Sequence, residues 1–264
     1  MNFLINNKDL YQIISKNDNK VLVVDTRSFE EYLVGHVPTA VNIDLFQFHW
    51  TDTSKRGLAD FERQSRILLS NIGVTNNHLV VIYDNLSGIS AARGVWLLLY
   101  FSHRKVRLLD GGFRRWQEEG LPIESKTNSF IHSQFVGRTN RKIVATISDV
   151  RKSLRKKDTA IVDARTSTEF NGEHVRAARA GHIPSAININ WEENLEGESF
   201  KDPDRLSSLY SNIPKNSKVI TYCQGGYRAA NTFLALKILG YKNVKMYLGS
   251  WGEWGNKSNL PIEK

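Results

Sequence analysis

Short runs of β-branched and aromatic residues alternate along this chain with longer stretches whose apolar positions fall at helical spacing. In the first half, residues 21–25, 80–84 and 106–109 read as short buried strands. Residues 8–16, 61–71, 90–102 and 113–119 read as helices. In the second half, 218–222 reads as a buried strand and 229–239 as a helix, with Gly240 supplying its C-terminal stop. Strand–helix alternation of this kind predicts an α/β fold, a parallel sheet covered by helices on both faces. Ligands of such sheets gather beyond the carboxyl ends of the strands.

The pattern occurs twice. Val21-Leu22-Val23-Val24-Asp25-Thr26-Arg27 is answered by Ala160-Ile161-Val162-Asp163-Ala164-Arg165, and Gly35-His36-Val37-Pro38 by Gly181-His182-Ile183-Pro184. Val80-Val81-Ile82-Tyr83-Asp84 stands opposite Val219-Ile220-Thr221-Tyr222-Cys223. Gly111-Gly112-Phe113-Arg114-Arg115-Trp116 matches Gly249-Ser250-Trp251-Gly252-Glu253-Trp254, and Leu121-Pro122-Ile123-Glu124 matches Leu260-Pro261-Ile262-Glu263. Matches in the same order at this spacing mean duplicated domains rather than a solenoid. We expect a first domain over 1–124, a linker over 125–141 and a second domain over 142–264.

A length of 264 residues suits two domains, and no apolar run approaches the ~20 residues of a membrane span. The single cysteine excludes an internal disulfide, and the first twenty residues lack a signal pattern, so the expectation is a cytoplasmic protein. The net charge of +9 suits an anionic partner. Much of it lies in runs such as 151–157, which read as solvated helix faces, so a small anionic substrate is expected and nucleic acid is not. No His/Cys/Asp group has metal-ligand spacing, so neither a metal nor an organic cofactor is expected.

Cys223 sits where the 218–222 strand ends and a helix begins. Gly225 and Gly226 allow the turn to curl its N–H groups inward, toward an anionic sulfur. With these residues in view, the chain resembles the tandem-domain rhodaneses, thiosulfate sulfurtransferases. The resemblance is carried by Asp25/Arg27 and Asp163/Arg165, the Gly-His-Ile-Pro-x-Ala-x-Asn segment from Gly181, the Cys223–Arg228 loop and the segment from Gly249. It implies two rhodanese-like domains, an inactive first one and a catalytic second one. It also implies a covalent persulfide on Cys223, which takes a sulfane sulfur from thiosulfate or a similar donor. Cyanide or a thiol, including that of a thiol protein, then accepts the sulfur.

Duplication separates architecture from chemistry. Asp163, Arg165 and His182 recur in the first half as Asp25, Arg27 and His36, so the first two are expected to support the loop and the histidine to be structural. Cys223 is answered by Asp84, which cannot accept sulfur, and is the expected nucleophile. Gln224, Gly225, Gly226 and Tyr227 are expected to offer backbone donors to the sulfur, and Arg228 to hold the anionic donor. Arg179, answered by Leu33, is a further substrate-binding candidate, with a structural role as its alternative. The spacing Cys223-x4-Arg228 is one residue shorter than the phosphate cradle of cysteine phosphatases, which places sulfur chemistry first. Two alternatives remain: a 3-mercaptopyruvate sulfurtransferase, whose loop typically differs at Gln224, Tyr227 and Arg228, and a persulfide carrier with little small-molecule turnover.

Overall fold

The computed structural model describes residues 2–16, 20–45, 48–154 and 156–264; Arg155, within the basic run, lies outside the described residues. The first half contains β1 (Leu4–Ile5), α1 (Asn7–Ile14), β2 (Val21–Asp25), α2 (Phe29–Val34), β3 (Val41–Asn42), α3 (Lys55–Asn71), β4 (Leu79–Tyr83), α4 (Ile89–Tyr100), β5 (Val106–Leu109) and α5 (Gly112–Glu118). The second begins with β6 (Val144–Ala145), α6 (Ile147–Ser153), β7 (Thr159–Asp163), α7 (Ser167–Phe170) and β8 (Ile187–Asn188). It continues with a short hairpin of β9 (Leu195–Glu196) and β10 (Ser199–Phe200), followed by α8 (Pro203–Leu209), β11 (Lys218–Tyr222), α9 (Tyr227–Ile238), β12 (Val244–Tyr247) and α10 (Ser250–Trp254).

Each half builds a five-stranded sheet, ordered β1-β5-β4-β2-β3 and β6-β12-β11-β7-β8. All neighbouring strands in both are parallel. The two orders are the same permutation, so β4 and β11 are the central strands. A central parallel strand is covered on both faces, which is why Leu-Val-Val-Ile-Tyr and Lys-Val-Ile-Thr-Tyr read as near-continuous apolar runs. In the first half Val23, Val81 and Tyr83 pack with Leu10 and Ile14 of α1, Tyr32 of α2 and Trp116 of α5. Val24, Val80 and Ile82 face the other way, toward Leu68 and Leu69 of α3, Ile72 just past its end, and Leu97 and Leu98 of α4. The expected helices on both faces are therefore present.

The braces at the strand ends are duplicated as well. Arg165 donates from Nε to Asp163 (3.0 Å) and from Nη2 to Asp163 (2.6 Å) and to the Gly181 carbonyl (2.8 Å). Arg27 makes the same bonds to Asp25 and the Gly35 carbonyl, at 3.1, 2.6 and 2.7 Å. Both pairs are buried and hydrogen-bonded, the condition under which a buried charge is tolerated. His36 and His182 are likewise matched, each stacked on the ring of Tyr32 or Phe170 and bonded through Nδ1 to that residue's carbonyl. This is the structural role expected of them.

The division of the chain departs from a single cut at 125–141. One compact unit comprises Met1–Phe48, Phe61–Asn140 and Glu196–Phe200; the other comprises His49–Asp60, Arg141–Leu195 and Lys201–Lys264. Residues 125–140 do not form a free linker. Asn128 bonds the Tyr32 hydroxyl (3.0 Å), Ser133 the Val74 carbonyl (2.6 Å), and Phe135 is buried edge-on against Phe101. The exchange of short segments has polar anchors: Glu198 accepts the Ser87 N–H in the first unit, and Thr53 bonds Glu253 in the second.

Candidate active site

The second unit ends its central strand at Tyr222 and starts α9 at Tyr227, leaving Cys223–Gly226 as the turn between them. Gly226 caps the helix with φ +89°, a left-handed conformation that costs a glycine little. That conformation turns the Gly226 N–H onto Cys223 Sγ at 3.1 Å. The sulfur thus faces a backbone donor at the N-terminus of a twelve-residue helix, an environment that favours negative charge. The thiol is 1% exposed.

A second layer holds the turn from behind. Trp251 and Gly252 donate their N–H groups to the carbonyls of Cys223 (2.9 Å) and Gln224 (2.8 Å). Ser250 accepts the Cys223 N–H at Oγ (3.2 Å) and donates that hydroxyl to the Tyr247 carbonyl (2.9 Å). Ser250 does so at φ +50°, a conformation strained for a residue with a side chain, where the first half has Gly112 at φ +60°. The signal for Ser250 was present in the sequence, as a serine standing where the duplicate carries glycine.

Arg228 lies in the first turn of α9 and forms a two-pronged ion pair with Glu169 of α7, through Nη1 to Oε2 and Nη2 to Oε1 (2.9 Å). Burial alone would lower the guanidinium, but Glu169 and the Cys223 sulfur together hold it above its ordinary value. Burial would raise Glu169, yet the Arg228 bond and charge outweigh it and bring the carboxyl down to about 2. Glu169 was not singled out in the sequence, although Thr166 and Glu169 form a capping box there as Ser28 and Glu31 do in the first half.

The other expected site residues divide. Gln224 donates Nε2 to the Arg176 carbonyl (2.9 Å), while its Oε1 is buried with no hydrogen-bond partner among the described residues. Tyr227 is buried, and the expected supports Asp163 and Arg165 brace the end of β7 and the Gly181 turn. Arg179 takes its structural alternative. Its guanidinium donates to the carbonyls of Gly255 (3.3 Å), Leu260 (2.7 Å), Trp254 (3.0 Å) and Lys257, clamping the C-terminal turn instead of meeting Cys223. Arg176, which drew no notice in the sequence, is the half-exposed cation beside the loop, with its guanidinium 3.8 Å from Glu169. Trp251 and Trp254 are core; Trp254 Nε1 bonds the Pro261 carbonyl as Trp116 Nε1 bonds that of Pro122.

Asp84 completes the comparison within the chain. Its carboxylate occupies the first unit's version of the turn and accepts N–H bonds from Leu86 (3.3 Å), Gly88, Ser90 and Ala91 (3.1 Å each). The first turn is thus filled by its own side chain, whereas the second presents a sulfur. Among the described residues no helix is long and apolar enough to cross a membrane.

A family model described as "Rhodanese-like domain" matches residues 6–119 and 146–257. The chain is 33% identical over 263 residues to the "Sulfur carrier protein TtuD" of Thermus thermophilus, covering 94% of this chain and 89% of the relative. It is 30% identical over 253 residues to the "Thiosulfate sulfurtransferase" of Pseudomonas aeruginosa, covering 92% and 91%. The crystal structure of SseA from Escherichia coli, described with the rhodanese fold and catalytic mechanism of 3-mercaptopyruvate sulfotransferases, superposes with a TM-score of 0.81 at 28% identity. That match covers 95% of this chain and 99% of SseA.

Proposed function

The chain belongs to the rhodanese family, and from that premise we propose that it is a sulfurtransferase moving a sulfane sulfur from thiosulfate to a thiol or cyanide through a persulfide on Cys223. The observation carrying this reading is the Gly226 N–H on Cys223 Sγ at a helix start, against a self-filled turn at Asp84. The Sγ thiolate attacks the outer sulfur of thiosulfate; the Sγ–S bond forms as the S–S bond to the sulfonate breaks, and sulfite leaves with the electron pair. An acceptor nucleophile then attacks the outer sulfur, and the bonding pair returns to Sγ. No oxidant or reductant enters the cycle. The backbone donors serve both the thiolate and the persulfide anion, and Arg228, held by Glu169, keeps a positive charge facing the sulfur. Arg176 supplies the outer positive charge for the anionic donor.

Thiosulfate is preferred over 3-mercaptopyruvate because Gln224, Tyr227 and Arg228 depart from the loop typical of mercaptopyruvate enzymes. Similarity to TtuD, named a sulfur carrier protein, favours a second reading in which the persulfide is handed to a protein thiol. Steady-state turnover of thiosulfate and 3-mercaptopyruvate with cyanide separates these. Thiocyanate should form from thiosulfate at the higher kcat/KM, and Cys223→Ala should form none. A higher kcat/KM with 3-mercaptopyruvate would transfer the assignment to that donor.

A further inference from the structure

His49 belongs by sequence to the first half but by packing to the unit that carries Cys223. A Cβ built on Gly225 would stand 2.5 Å from Cδ2 and 3.0 Å from Nε2 of His49, so the imidazole covers that glycine. The ring also lies against Tyr227, with centroids 4.8 Å apart. Gly225 and Tyr227 flank Gly226, whose N–H meets the sulfur. The glycine at 225 therefore has a steric reason as well as a backbone one: a side chain there would displace the histidine. Thr51 repeats the arrangement further along the same segment. A Cβ at Gly252 would stand 3.2 Å from Thr51 Cγ2, and the Gly252 N–H holds the Gln224 carbonyl.

The segment carrying His49 is anchored. Glu253 accepts the Thr53 N–H (2.9 Å), the Thr53 hydroxyl (2.7 Å) and the Tyr247 hydroxyl (2.7 Å), and Thr53 Oγ1 accepts the Ile147 N–H (2.9 Å). Bonds to a buried carboxylate are charge-assisted and directional. Glu253 stands where the duplicate has Arg115, and Arg115 holds Ser199 of the other exchanged segment (2.8 Å). The same position in each motif thus anchors a strap from the opposite half of the sequence.

We propose that His49 is a positioning residue of the sulfur-transfer site, holding the 223–227 turn closed over the thiol from a strap latched by Thr53 on Glu253. This rests on the reading of Cys223 as sulfur carrier. The ring acts through its packing on Gly225 and Tyr227, which keeps the Gly226 N–H on the sulfur and shields Sγ. The test uses the full chain with His49→Ala, His49→Phe and Thr53→Val. Alkylation of Cys223 by iodoacetamide is followed by intact mass, alongside kcat and KM for thiosulfate.

His49→Ala should alkylate about tenfold faster and lose about tenfold in kcat/KM. The flat ring of His49→Phe should restore both to within about threefold of wild type, and Thr53→Val should shift both in the direction of His49→Ala. Unchanged alkylation in His49→Ala would overturn the proposal, as would a Phe variant as impaired as Ala. Alkylation does not depend on sulfur donors. If wild type takes sulfur from no donor while His49→Ala still exposes the thiol, the functional reading fails and the positioning role of His49 stands.

Discussion

Asp84 and Cys223 directly follow equivalent central strands, and their surroundings give them opposite fates. Asp84 reaches into its own ring of N–H donors; those donors favour the anion, but burial is the larger effect and pushes the carboxyl up to about 6. A carboxyl raised in the folded state stabilises the protein below its unfolded value of 3.8, and that contribution is lost as pH rises through about 6. Stability of the first unit should therefore decline between pH 4 and 6 by about a kcal/mol or more. Asp84→Asn should flatten that decline while thiosulfate turnover persists. Denaturant melts across this pH range check it, and an Asn variant with wild-type pH dependence would refute it.

Glu169 gives the opposite sign. Held near 2 by Arg228, it contributes stability above its unfolded value of 4.5 that disappears as pH falls toward 2. Allowing for solvent screening at this partly accessible pair, Glu169→Gln should cost about 1–2 kcal/mol at neutral pH and nothing near pH 2. It should also lower kcat/KM, because Arg228 loses the partner that fixes it. A Gln variant equally destabilised at both pH values would contradict the linkage. Arg176→Ala, by contrast, should leave the melt unchanged and raise the KM for thiosulfate, an effect that added salt should mimic in wild type.

At the scale of elements, the strand–turn–helix from Lys218 to Ile238 sets what the site can hold. Four residues separate Cys223 from Arg228, one fewer than in the phosphate cradle of cysteine phosphatases, and the Gly226 N–H meets Sγ, so the turn is expected to suit one sulfur better than three phosphoryl oxygens. A glycine inserted between Gly226 and Tyr227 should impair sulfur transfer and admit vanadate, which should not inhibit the native chain. Tight competitive inhibition of the native protein by vanadate would overturn the geometric argument.

This element was legible in the sequence, because Val219–Tyr222 of β11 is a buried β-branched and aromatic run, Gly226 must turn and α9 keeps its period. β1, β3, β6 and β8 were not. Each is two residues long, too short for a periodicity, and is defined only by its neighbour in the sheet. The helix α2 was missed as well, although Ser28 and Glu31 cap it, because Leu33 and Val34 are exposed and blur its apolar face. The site was read in part for the same reason. Cys223 and Gly226 are local, whereas the bond from Thr53 to Glu253 joins residues 200 positions apart and leaves no local trace.

At the scale of the whole molecule, duplication supplied one topology twice, and exchange of short segments made each copy depend on residues of the other half. The stretch expected as a linker is part of the first unit's packing. Phe135→Ala should therefore cost about 3 kcal/mol in denaturant melts, the usual loss for a buried phenylalanine, with sulfur loading of Cys223 retained. A free linker would show no such cost.

Whether Cys223 alone carries sulfur can be read from the intact mass of the protein after incubation with thiosulfate. Wild type should gain one sulfur atom and lose it on adding cyanide, and a folded Cys223→Ala variant should show neither change. A wild-type chain that gains no sulfur from thiosulfate, or a Cys223→Ala variant that does, would contradict it.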